Sequence, residues 1–130
     1  MNPRQLIGLQ RPSFPQPTWA EIEASICALN GADRPLFTLA PLEGLAEGHL
    51  SVQGREGAYG ITAYLPGRGR FRYLERDVDC DNEVEMYNDG GLWDYVASRY
   101  VCTNVKRALG VVRYFWEYGE LHPSVMWEKA

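Results

Sequence analysis

Apolar positions change their spacing twice along the chain. Trp19, Ile22, Ile26 and Leu29 recur every three to four residues, which is one face of a helix. Thr18 and Glu21 form a T-x-x-E capping box ahead of that run, and Gly31 is a C-terminal stop, so the spacing predicts a helix over about 18–30. From 35 to 88 the period falls to two. Short strands are predicted over Leu36–Leu39, His49–Gln53, Ala58–Leu65, Arg70–Arg76 and Glu83–Asn88. Gln53-Gly54-Arg55-Glu56-Gly57 and Pro66-Gly67-Arg68-Gly69 supply turn residues between them, and connections this short favour an antiparallel meander. Leu92–Tyr100 carries no period that assigns it. Thr103 is the expected cap of a second helix over about 103–118. Val105, Leu109, Val112 and Trp116, with Ala108 and Phe115, form its apolar face, and Gly119 ends it. Val125–Trp127 predicts a terminal strand. The expected fold is α+β: an antiparallel sheet of about five to six strands with two main helices.

Four of the eight prolines fall within residues 1–17, which predicts an irregular Pro-rich arm, followed by one α+β domain over 18–130. A chain of 130 residues buries enough surface to fold without a disulfide or a structural metal. Cys27, Cys80 and Cys102 are odd in number and widely spaced, as expected of reduced thiols in a cytoplasm. Met1–Pro12 has no apolar stretch of a secretory signal, and no segment approaches the length of a membrane span. Cytoplasmic localisation without membrane contact is the expectation.

The chain lacks the spaced motifs of the common catalytic and metal sites. His49 and His122 stand in no ligand motif, and neither a phosphate-binding glycine loop nor a nucleophile elbow is present. The expectation is no catalytic residue, no cofactor and no metal. A site assembled in space from a histidine, Cys80 or Cys102 and an acid is the enzymatic alternative. The strongest anomaly in the chain is electrostatic. Acids fall at Asp77, Asp79, Asp81, Glu83 and Glu85, and an extended chain would put all five on one face. From Glu75 to Asp94 there are eight acids and one arginine, a local charge of −7, although the whole chain carries only −4. Asp77, Asp79 and Asp81 match the start of a calcium loop, but Asn82 and Asn88 stand where that loop needs glycine and a bidentate glutamate. The other readings are a solvated charged face and a docking strip for a basic protein, with Trp93 and Asp94 as candidate anchors.

The opposite charge gathers at Arg68, Arg70, Arg72 and Arg76, interleaved with Phe71 and Tyr73. Two readings apply to this hairpin, 68–76. It either pairs electrostatically with the neighbouring acidic strand or forms a platform for single-stranded nucleic acid. The first is expected, because a net negative chain lacks the basic footprint of a nucleic-acid binder.

The C-terminal third carries a resemblance. Ala108-Leu109, Tyr114-Phe115, Tyr118-Gly119-Glu120-Leu121, Pro123 and Trp127-Glu128 look like the ending of the first-numbered Imm family of bacterial polymorphic-toxin immunity proteins. The Ala58-Tyr59-Gly60 strand and the Pro66–Gly69 turn resemble its middle, so the likeness covers about residues 48–129. Tyr118 stands where that family usually has threonine, and the acidic strip is no part of its pattern. The resemblance implies a small α+β protein that protects the producing cell by binding a cognate toxin, often of the nucleic-acid deaminase superfamily. That implication joins the charge argument. A toxin groove that attracts phosphates is basic, and Asp77, Asp79, Asp81, Glu83 and Glu85 would occupy it. The expected partner is therefore a toxin protein, with no direct nucleic-acid binding. A nucleic-acid-binding or regulatory module using hairpin 68–76 is the alternative.

Overall fold

Helix α1 (Trp19–Cys27) begins where the capping box requires. The Glu21 N–H donates to Thr18 Oγ1 at 3.3 Å, and the Thr18 N–H donates to Glu21 Oε1 at 2.9 Å, which satisfies two otherwise free amides. Ile22 and Ile26, one turn apart, are fully buried. The helix stops short of residue 30: Leu29 N–H bonds to Ile26 O at 3.2 Å, so the last turn tightens to three-residue spacing. Gly31 lies outside the residues that the computed structural model describes, which are 4–8, 17–29, 36–41, 47–55, 57–75, 83–87 and 93–130.

The strands are β1 (Arg4–Gly8), β2 (Leu36–Pro41), β3 (His49–Arg55), β4 (Ala58–Leu65), β5 (Gly69–Leu74), β6 (Glu83–Tyr87), β7 (Trp93–Ala97), β8 (Val101–Cys102) and β9 (Met126–Lys129). The main sheet is antiparallel in the order β1-β2-β3-β4-β5-β9. Strand β4 is its centre. One edge of β4 pairs with β3 from Ala58 to Tyr64. The other edge is divided: Thr62–Leu65 pair with β5, and Tyr59–Gly60 pair with β8. The β4–β5 connection closes with Arg68 N–H on Leu65 O at 3.0 Å, and Gly69 holds φ at +102°, a conformation that side chains rarely adopt.

Helix α2 (Val105–Tyr118) and α1 lie on one face of this sheet. The expected cap of α2, Thr103, is displaced by Asn104, whose Oδ1 accepts from the N–H groups of Lys106 at 3.0 Å and Arg107 at 3.2 Å. Cys102 is still paired with Tyr59 in the sheet, so Thr103 comes too early to close the helix. The apolar face is also rotated from its expected setting: Ala108, Val111, Val112 and Phe115 are buried, while Val105 is exposed. Gly119 ends α2 in the left-handed region at φ +68°, with its N–H on Phe115 O. Alternate residues of the central strands, Leu50 and Val52 on β3 and Tyr59, Ile61, Ala63 and Leu65 on β4, meet the helices in the core.

Two expectations on strand placement are corrected. Arg4–Gly8 is not irregular: it pairs antiparallel with β2 as the sheet's edge strand. The run 4–8 contains no proline, so every amide can donate, and an edge tolerates the prolines on either side. Glu83–Tyr87 does not extend the main meander. It pairs with β7, from the unassigned stretch, as a separate two-stranded ribbon, and a single 3-10 turn (Ser98–Tyr100) then leads to β8. A strand with a short connection finds its nearest partner in sequence first.

Candidate partner-binding surfaces

The acidic ribbon is anchored on the sheet face opposite the helices. Val96 of β7 packs on Ala58 and Val101, which form a small buried cluster of their own, and β6 approaches β3. The register sets Glu83 opposite Ala97, Glu85 opposite Tyr95, Met86 opposite Asp94 and Tyr87 opposite Trp93. Glu83 is exposed, and Tyr95 is 64% exposed, a large aromatic presented to solvent. Asp77, Asp79 and Asp81 lie outside the described residues. For Glu85, Trp93 and Asp94 the strand positions are described and the side chains are not. The structure therefore brings Glu83, Glu85, Trp93 and Asp94 onto one ribbon. Among the described side chains of the ribbon Tyr95 is the exposed aromatic, and its signal in the sequence was its place in the Trp93-Asp94-Tyr95 run.

The arginine hairpin finds partners other than the acidic strand. Arg68 binds Glu120 through both carboxylate oxygens, at 2.7 and 2.9 Å. Arg70 lies over Tyr64 at 5.8 Å, and Arg72 lies over Tyr100 at 4.3 Å. Arg99 approaches the same Tyr100 ring at 4.7 Å. Strand alternation puts Arg70 and Arg72 on the face that bears the ribbon, beside the His49–Tyr64 cross-strand pair. Arg76 lies outside the described residues.

A polar cluster sits between the end of β5 and the start of α2. Arg107 Nη1 reaches both Glu75 oxygens, at 2.7 and 3.0 Å, and the Tyr73 hydroxyl donates to Glu75 Oε2 at 2.9 Å. The Glu75 side chain is only 7% exposed, so these bonds supply what water no longer can. Burial pushes the Tyr73 hydroxyl and the Cys102 thiol above their ordinary ranges. Arg107 is held charged by its bond to Tyr73 and by the Glu75 carboxylate. The Cys102 thiol donates to Asn104 O at 3.3 Å and is a poor nucleophile in its protonated state. His122 takes the Ser124 N–H on Nδ1 at 3.0 Å and packs at a tilt against Tyr114, while His49 packs at a tilt against Tyr64. Cys80, the other thiol of the enzymatic alternative, lies outside the described residues. Among the described residues no group of three histidines, cysteines or acids is placed to hold a metal ion. Nor is any helix among them long and apolar enough to cross a membrane.

The C-terminal residues that carried the resemblance have architectural contacts. Gly119 caps α2, Glu120 ties the end of that helix to the β4–β5 turn through Arg68, and Trp127 Nε1 donates to His122 O at 3.2 Å. The Trp127 ring meets buried Tyr73 edge-on at 6.3 Å.

No protein-family model matches this chain, and no curated protein sequence matches it. The fold does have a solved counterpart. A crystal structure of a hypothetical protein from Neisseria gonorrhoeae superposes with a TM-score of 0.63 at 14% identity, over 95% of this chain and 92% of that one. At that identity the likeness is one of fold: both chains share the α+β arrangement of an antiparallel sheet and two helices.

Proposed function

We propose that this protein is an immunity protein that neutralises a cognate toxin domain by direct contact in the cytoplasm, with the β6–β7 ribbon as its docking element. The observation that carries the reading is the ribbon itself. It stands apart from the main sheet, it belongs to a segment of charge −7, and it presents exposed Glu83 and a 64% exposed Tyr95. A concentrated negative field costs self-repulsion, and it steers a cationic partner into register. An aromatic within such a field supplies the apolar anchor that charges alone lack. The toxin we infer acts on nucleic acid, as a deaminase does, because a phosphate-attracting groove is basic. Occupying that groove blocks substrate without any chemistry by the inhibitor.

The test is charge reversal of Asp77, Asp79, Asp81, Glu83 and Glu85 to lysine together. The variant is expected to keep its circular dichroism and urea midpoint and to lose affinity for the toxin captured by the wild-type chain from its native lysate. A well-folded quintuple variant with undiminished affinity would rule the ribbon out.

A further inference from the structure

The ribbon, the sheet and the 3-10 turn enclose a second feature of opposite sign. A notch of about 220 Å³ is lined by Gln53, Gly60, Thr62, Arg72, Val96 and Tyr100. Arg72 is half-buried, and its guanidinium rests on the Tyr100 ring at 4.3 Å. No carboxylate among the described residues lies within ion-pair distance of it. Glu128 stands opposite Arg72 across the β5–β9 pair and still does not engage it. A partly desolvated cation is costly to leave without a counter-charge, and a guanidinium lying on a ring keeps its edge N–H donors for a planar acceptor. Gln53 and Thr62 add neutral hydrogen-bonding groups to the same walls.

Size and surroundings select the ligand. The notch is smaller than the roughly 300–1,000 Å³ of a drug-sized site, so it admits a group the size of one side chain. One wall is Val96 of the acidic ribbon, whose segment carries −7. A polyanion running past that ribbon would be repelled along its length. A lone carboxylate would meet Arg72 first. We propose that the notch binds one carboxylate, presented by an acidic side chain of a protein partner. The identity of that partner rests on the immunity reading, in which a basic toxin surface carries one acid that keys its orientation on the ribbon. The notch itself does not depend on it.

The experiment therefore uses no toxin. The full chain is titrated with a blocked neutral peptide holding one central glutamate, with its glutamine twin, and with an oligothymidylate, following the Arg72 Nε–H and Thr62 amide signals by NMR. The glutamate peptide is expected to shift both signals at millimolar concentration and the glutamine twin to shift neither. Arg72→Gln should weaken the glutamate peptide about tenfold, the loss of one charge-assisted bond. Tyr100→Leu keeps the cation, removes its platform and should also weaken binding. Glu128→Gln should strengthen it, since a like charge that repels the incoming carboxylate is removed; a purely structural role for Arg72 predicts no such gain. Equal response to the two peptides, or tighter binding of the oligothymidylate at the same signals, overturns the proposal. Peptide binding at the notch with no capture of a toxin would sink the immunity reading alone, and the reverse would sink the notch alone.

Discussion

Tyr73 is almost fully buried, yet its hydroxyl is held by Glu75 and Arg107, so the ring serves the core while the oxygen completes a charged cluster. Both Tyr73 and the neighbouring Cys102 have titration ranges raised by burial. In the unfolded chain a thiol ionises near pH 8.5 and a phenol near about 10, while the folded groups still hold their protons. The unfolded state then binds fewer protons, so stability falls as pH rises. The contribution of these groups is whole below the unfolded values and is lost toward the folded ones. Tyr73→Phe is expected to flatten the loss of stability between about pH 9 and 11 in urea melts. An unchanged slope would remove Tyr73 from the account. Labelling reports the same burial. Brief alkylation of the native protein at neutral pH should modify exposed Cys27 and spare buried Cys102, and equal rates at the two would contradict the protected thiol.

The two helices separate what a cap can decide from what packing must. The box at Thr18 and Glu21 was legible because its bonds close within four residues. At α2 two good capping residues stand side by side, and the choice fell to Asn104 because Cys102 is held in the sheet by Tyr59. Asn104→Ala should therefore cost about 1 kcal/mol in denaturant melts, and Thr103→Ala close to nothing. The reverse order would return the cap to Thr103. The rotation of the buried face of α2 has the same origin. Val111 and Val112 are adjacent, so several helical stripes pass through this apolar run, and only the sheet beneath selects the one through Ala108 and Phe115.

Across the whole molecule, edges are where sequence and structure part. Strand β1 covers the outer side of β2, whose Leu39 is fully buried. Deleting residues 1–8 should cost on the order of 1–3 kcal/mol, the worth of a few cross-strand pairs, and lower the thermal midpoint. No change in stability would mean the segment behaves as a loose arm. The separation of charge also operates at this scale: the described strands of the acidic segment pair as a ribbon, while Arg70 and Arg72 lie on tyrosine rings and form no ion pair among the described residues. Opposite charges close in sequence imply pairing only if the side chains come within a few ångströms; the ribbon shares a sheet face with Arg72, and it is Val96 of the ribbon that lines the same notch.

By itself the sequence determined the α+β class, the first helix start, the Gly119 stop, the turn after Leu65, and the bounds of Ala58–Leu65 to the residue, while the turn expected over Gln53–Gly57 is shorter because Gln53, Gly54 and Arg55 pair with β4. These are events within a few neighbouring residues, where dihedral preference and the nearest hydrogen bond decide. It also located the acidic segment, because charge is additive along a chain. Only the tertiary structure decided that Arg4–Gly8 joins the sheet, that the outer edge of β4 is divided between β5 and β8, and that Arg72 meets Tyr100. Each of these pairs residues far apart in sequence or offers a strand more than one partner. The outcome is set by which arrangement buries the common core, a quantity that no local stretch of the chain contains.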